Sequence, residues 1–276
     1  MSPRATRVIA ALLMAPAAIL SVLYLPTPLL AVLVAAVMMI GLWEWALLSG
    51  LKDMLPRACY LIANAVMMVA LVWAAGPGLY TLKLVSVIGA AWWLVALLWL
   101  RNFQFAASDS AGSRALKLLA GSLSVIPAWS ALCWLHSSDS LGPRWSLFAV
   151  AIVWAADTGA YFVGVRFGKH KLAPRISPGK SWEGLYGGMA ATLLFALAAR
   201  SMLHVGWPML PLLLLLTLIT GLISVAGDLF ESLLKRHAGI KDSSDLIPGH
   251  GGVLDRLDSL LAALPVFLVA KMWLGL

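Results

Sequence analysis

The chain has 276 residues, 62% hydrophobic and 12% charged, with a mean hydropathy of +0.92 and a formal charge of +8. A soluble domain of this size does not bury so much apolar surface, so the composition excludes that class and points to a polytopic membrane protein. No basic run is interleaved with aromatics outside the apolar stretches, so the positive excess reads as loop lysines and arginines that fix orientation, and no nucleic-acid partner is expected.

Taking about twenty apolar residues as one helical crossing, the sequence divides into nine predicted spans, at about 8–25, 28–50, 57–76, 81–100, 115–136, 145–166, 184–204, 208–227 and 255–275. Arg4 and Arg7 ahead of the first run resemble the start of a signal peptide, but further spans follow at once and favour an uncleaved helix. Pro26 and Pro28 divide the first two spans, and Gly76-Pro77-Gly78 divides the third from the fourth. Cys59 and Cys133 fall in separate apolar segments without metal-ligand spacing, so neither a disulfide framework nor a zinc site is expected. The 13 tryptophans suit rings at membrane–water interfaces or between helices.

Placing the N-terminus in the cytoplasm and alternating leaves only Lys83, Arg144, Arg200 and Lys271 of the 20 lysines and arginines outside. That strong bias predicts a cytoplasmic N-terminus, an outside C-terminus and long inner segments near 101–114, 167–183 and 228–254. The acids are uneven: Glu44, Asp53, Asp109 and Asp139 precede Asp157, and all the others follow. The expectation is a single membrane domain, 1–276, with 1–144 mainly scaffold and 145–276 carrying the catalytic helices and loops.

In the first half, Glu44 lies between Trp43 and Trp45 near the inner end of the second span. It reads as an interfacial or interhelical contact and is left outside the site. In the sixth span, Asp157 is deep enough to need a partner or a water-filled cleft. Beyond it, Ser177, Lys180 and Glu183 fall at i, i+3 and i+6. A capping box at the start of a helix explains the serine and glutamate, whereas a cation at a helix N-terminus calls for an anion nearby.

Asp228 closes the predicted eighth span, with Glu231 at i+3, and Asp255 and Asp258 open the ninth with the same spacing. Capping of the ninth helix and an i,i+4 pair between Glu231 and Lys235 account for one acid at each end. Two acids at both ends point to a divalent metal on Asp228 and Asp255. Between them, Lys235, Arg236 and Lys241 are candidates for offsetting phosphate charge. Pro248-Gly249-His250-Gly251-Gly252 reads either as a tight re-entry turn or as a backbone cradle for phosphate. His250 is left open between proton carrier, phosphate donor and packed turn residue.

These residues resemble the phosphatidate cytidylyltransferase family, whose C-terminal signature is Ser-x-x-Lys-Arg, four residues, Lys-Asp, Pro-Gly-His-Gly-Gly and Asp-Arg-x-Asp. Here it reads Ser232 to Lys235-Arg236, Lys241-Asp242, Pro248-Gly249-His250-Gly251-Gly252 and Asp255-Arg256-Leu257-Asp258. A shorter element, Ser-Pro-Lys-Lys-Thr-x-Glu-Gly, appears as Ser177-Pro178-Gly179-Lys180-Ser181-Trp182-Glu183-Gly184, with Gly179 in place of a lysine. The motifs cover the C-terminal part, and the N-terminal spans are similar only in hydropathy and in Trp43-Glu44-Trp45.

The resemblance implies a membrane enzyme, dimeric, that makes CDP-diacylglycerol and pyrophosphate from CTP and phosphatidic acid, in a bacterial cytoplasmic membrane with its site facing the cytoplasm. It also implies Mg²⁺, with K⁺ in a paired-metal site, and metal-binding aspartates at Asp228 and Asp255. On this reading Asp228, Asp255, Lys235, Arg236, Lys241 and Asp258 are catalytic. Ser177, Lys180, Glu183, Asp157, Gly249, His250, Gly251, Gly252 and Arg256 bind substrate. The alternatives are a CTP-dependent transferase acting on another membrane lipid and, in a different class, a cation-coupled transporter.

Overall fold

The structure, a computed structural model, describes residues 3–76, 78–247 and 251–276, with side chains from residue 12 onward. Among the described residues there are nine α-helices and one two-stranded ribbon. The order is α1 (Pro3–Tyr24), α2 (Thr27–Leu48), α3 (Met54–Ala74), α4 (Tyr80–Arg101), α5 (Ala111–Ser137), α6 (Gly142–Phe167), β1 (Lys171–Ala173), β2 (Ser177–Ser181), α7 (Trp182–Ala199), α8 (Leu210–His237) and α9 (Leu254–Leu274). Seven are long and apolar enough to cross a membrane: α2 to α6, α8 with the short turn before it, and α9. Over its most apolar window, α5 is 72% buried and α3 only 17%. The first is therefore the central post of the bundle and the second a wall facing outward.

Two local structures differ from the sequence reading. The eighth helix does not stop at Asp228 but runs to His237. Its last turn carries Lys235, Arg236 and His237, which suit the negative helix end, and Lys235 pairs with Glu231 one turn back at 2.6 Å. The helix stops at Gly239, whose φ of +72° favours glycine, while the Ile240 amide returns to the Lys235 carbonyl at 3.0 Å. The second difference concerns Ser177, Lys180 and Glu183, read as one helical start. Residues Ser177–Ser181 form β2, antiparallel to β1 with Lys171 opposite Ser181 and Ala173 opposite Ser177. The cap is Ser181, whose hydroxyl accepts the Gly184 amide at 3.1 Å. Lys180 therefore sits on a strand beside the helix and not in its first turn.

Core packing sets the rotation of α8. Phe230, fully buried, is surrounded by Trp45, Trp92, Trp93 and Trp99 at ring-centroid distances of 5.3 to 6.1 Å. Three of these meet it edge-on, a geometry that contributes about 0.5–1.5 kcal/mol per pair beyond the area buried. The indole N–H of Trp93 also donates to the Leu261 carbonyl on α9 at 2.9 Å. At Gly227 the α8 backbone comes so close to α9 that a Cβ would lie 2.4 Å from the Asp258 carbonyl. That close approach brings Asp228 and Asp258 to the same crossing.

Candidate active site

Where α6, β2, α7, α8 and α9 meet, they enclose a cleft of about 530 Å³, within the usual range for small-molecule sites. Its walls are small or apolar residues of α6 and α7, among them Ala156, Ala160, Gly184 and Gly188. The charged groups of the lining come from four elements: Asp157 from α6, Lys180 from β2, Asp228 and Lys235 from α8, and Asp255, Arg256 and Asp258 from α9. Asp242, from the connection between α8 and α9, completes the set.

Opposite charges are paired across the elements. Lys180 Nζ lies 2.5 Å from Asp228 Oδ2, which ties the ribbon to α8. Lys235 Nζ lies 2.6 Å from both Glu231 Oε2 and Asp255 Oδ1, which ties α8 to α9. Charge-assisted pairs of this length are the strong ones, and they offset the cost of removing carboxylates from water. Asp255 is further held through Oδ2, which accepts from the Gly252 amide at 2.8 Å, the Ser243 amide at 3.0 Å and the Ser243 hydroxyl at 2.9 Å. Ser232 donates to Asp228 Oδ1 at 3.3 Å. Among the described residues, no three His, Cys, Asp or Glu side chains cluster closely enough to hold a metal by themselves.

The structure thus gathers Asp157, Lys180, Asp228, Lys235, Asp255, Arg256 and Asp258 from the sequence-based set into one cleft. It does not bring Ser177, Glu183, Arg236 or Lys241 to its lining. Ser177 opens β2 at the far end of the ribbon from Lys180. Glu183 turns back on its own loop, accepting from the Lys169 amide at 3.0 Å and pairing with His170 Nδ1 at 2.6 Å. The His170 hydrogen bond holds its carboxyl down at about 2. Arg236 donates to the Ile176 carbonyl at 3.1 Å, so it anchors the ribbon turn. Lys241 is exposed beyond the end of α8.

Gly251 and Gly252 are within reach of the cleft but do not form an open cradle. The Gly252 amide is taken by Asp255, and a Cβ there would lie 2.0 Å from Ser243 Oγ and 2.5 Å from Glu44 Oε2. Its bare backbone serves close packing. Gly249 and His250 lie outside the described residues. Sequence reasoning leaves three residues here out of the site. Asp242 stands in the Lys241-Asp242 element of the motif without an assigned role, and Ser243 carries no spacing signal of its own. Glu44 reads from the sequence as an interfacial or interhelical contact, and it is one, accepting from the Val253 and Leu254 amides at the start of α9.

The fold and the cleft define a multi-pass helical membrane protein that concentrates charge of both signs, from separate elements, in one site of small-molecule size. Residues 5–273 match the cytidylyltransferase family, and the chain belongs to it. It is 43% identical to a phosphatidate cytidylyltransferase of Pseudomonas aeruginosa over 270 residues, covering 97% of this chain and 96% of that one. It is also 39% identical to the Haemophilus influenzae enzyme of the same name, with 91% and 93% covered. A Staphylococcus epidermidis phosphatidate cytidylyltransferase matches over 136 residues at 46% identity, about half of each chain.

Proposed function

We propose that this protein transfers the cytidylyl group of CTP to phosphatidate, yielding CDP-diacylglycerol and pyrophosphate. The observation that carries the reading is the cleft in which Asp228 and Asp255, from separate helices, stand with Lys180 and Lys235 in a chain 43% identical to a phosphatidate cytidylyltransferase. The bond formed joins a phosphatidate phosphate oxygen to the α-phosphorus of CTP. The bond broken is the one between that phosphorus and the oxygen bridging to the β-phosphate, whose electron pair leaves with pyrophosphate. An ionised phosphate is already a nucleophile, so catalysis is positioning and charge neutralisation.

Carboxylate oxygens suit Mg²⁺, which usually takes one or two carboxylates and completes its shell with phosphates and water. Asp228 and Asp255 would hold it, and when bound it neutralises charge on the leaving pyrophosphate. A K⁺ ion beside it belongs to the same proposal. Lys180 and Lys235 hold the two carboxylates in place and are cations at hand for phosphate oxygens, and Arg256 adds a third in the cleft. Asp157 and Asp258 make the wall between α6 and α9 polar.

All nine helices are proposed to cross the membrane, with the N-terminus and the cleft on the cytoplasmic side and phosphatidate entering laterally from that leaflet, in a homodimer. The charge asymmetry of the loops supports the orientation. The test is the purified protein with labelled CTP and either phosphatidate or a polyprenyl phosphate, titrated with Mg²⁺ and read by pyrophosphate release. Turnover with phosphatidate alone, dependent on Mg²⁺, is expected. Turnover only with the polyprenyl acceptor, or none with either, overturns the assignment.

A further inference from the structure

We propose that Glu44, on α2, is a positioning residue for this reaction: it fixes Asp255 by clamping the start of α9 and the Ser243 hydroxyl that reaches Asp255. The inference rests on the assignment of Asp255 to the transfer site made above. Glu44 is 2% exposed, and each of its oxygens accepts two hydrogen bonds. Oε1 takes the Ser244 hydroxyl at 2.5 Å and the Val253 amide at 3.1 Å. Oε2 takes the Ser243 hydroxyl at 2.9 Å and the Leu254 amide at 2.7 Å.

Helix α9 has no side-chain cap from its own N-cap residue, Val253. Two amides at its start, those of Val253 and Leu254, are satisfied instead by a side chain 209 and 210 residues away in the chain. A buried carboxylate is costly unless fully hydrogen-bonded, and at a helix N-terminus it also meets the positive end of the dipole. Capping alone would need only the two amides. The second function lies in Ser243, whose single hydroxyl proton stands within hydrogen-bond distance of both Glu44 Oε2 and Asp255 Oδ2. The Ser243 amide binds the same Asp255 oxygen, leaving Oδ1 for Lys235. The direction in which Asp255 points therefore follows from where Glu44 holds Ser243 and the 252–254 backbone. Gly252 is wedged between them, with no room for a Cβ.

The experiment uses the full-length purified protein with CTP, phosphatidate and Mg²⁺, and it compares Glu44→Gln, Ser243→Ala and the double variant. It reads kcat, the Mg²⁺ concentration for half-maximal turnover, and amide hydrogen exchange without substrates. Glu44→Gln presents a donor where amides require an acceptor. It is expected to lower kcat about 10–100-fold, the scale of a small misplacement of a reacting group. It also raises the Mg²⁺ requirement and speeds exchange at residues 252–255 while the rest of α2 and α9 exchanges as before. Ser243→Ala should produce the same kinetic change more weakly, with α9 still protected, and the double variant should be little worse than Glu44→Gln.

A Glu44→Gln protein with lowered thermal stability but unchanged kcat and Mg²⁺ dependence overturns the proposal. If that variant does not accumulate in the membrane, Ser243→Ala decides, and unaltered kinetics there overturn it equally. Failure of the underlying reading would look different: Asp255→Asn would then turn over at the full rate whatever Glu44 does.

Discussion

Two polar connections border the cleft, and they are held in opposite ways. The ribbon between α6 and α7 is secured largely by its neighbours in sequence: strand pairing, the Ser181 cap and Glu183 folded back on Lys169 and His170. The connection between α8 and α9 adds to its own ties on Asp255 a clamp from far away in the chain, Glu44, 199 residues before the Ser243 that it grips. The first delivers one cation to the cleft, Lys180, and the second helps to orient Asp255. A locally held loop can loosen without disturbing the helices around it, whereas a loop tied to a distant helix transmits a change anywhere in the bundle.

The sharpest way to break this contrast lies in the carboxylates. Asp228→Asn or Asp255→Asn is expected to lower CTP-dependent product formation by about 10³-fold or more, the scale of a preorganised charge, with membrane protein levels unchanged on a blot. Comparable rates in either variant would leave both connections without a catalytic role. Lys180→Ala removes the ribbon's contribution. It should cost about 10–100-fold in kcat/KM, as the loss of a hydrogen bond to a charged group does, and a smaller effect would reduce the ribbon to a cover. Gly252→Ala drives a methyl into Ser243 and Glu44. It should destabilise by about 1–3 kcal/mol, visible as a lower thermal midpoint in detergent together with slower turnover.

Smaller effects are expected at the ribbon's outer ties. Arg236→Ala frees the Ile176 carbonyl and should slow turnover by about tenfold at most, with faster proteolysis near 171–176. Glu183→Gln removes an exposed pair with His170 and should change kcat by about twofold or less. Rates are the measurement in both cases. A larger loss at Glu183 than at Lys180 would invert the ranking of the two connections.

The same contrast explains what could be read from the chain. Apolar runs of helical length report themselves, so every predicted span overlaps one helix, and the polar residues of α8 and α9 announced the cleft through their spacing. Local turn chemistry was legible in kind but misplaced. A serine precedes a glutamate at helical spacing in the ribbon, yet the capping serine is Ser181 and not Ser177. Asp228 marked the end of an apolar run and not of a helix, because Phe230, Leu233 and Leu234 keep α8 packed in the core beyond it, with the Glu231–Lys235 pair along the same turns. Hydropathy registers the change of solvent, not the end of hydrogen bonding. Glu44 was set aside because nothing in its neighbourhood names Ser243 or the start of α9 as its partners. A contact across 199 residues is a property of the packed bundle.

The central claim, that CTP reacts in the cleft bounded by β2, α8 and α9, is tested most directly by photolabelling. The purified protein would be irradiated with a photoreactive CTP analogue, and the adducts mapped by mass spectrometry with and without excess CTP. Adducts within 177–189 and 228–258 that CTP suppresses are the predicted result. CTP-suppressible labelling confined to other segments, with these left unmodified, would contradict it.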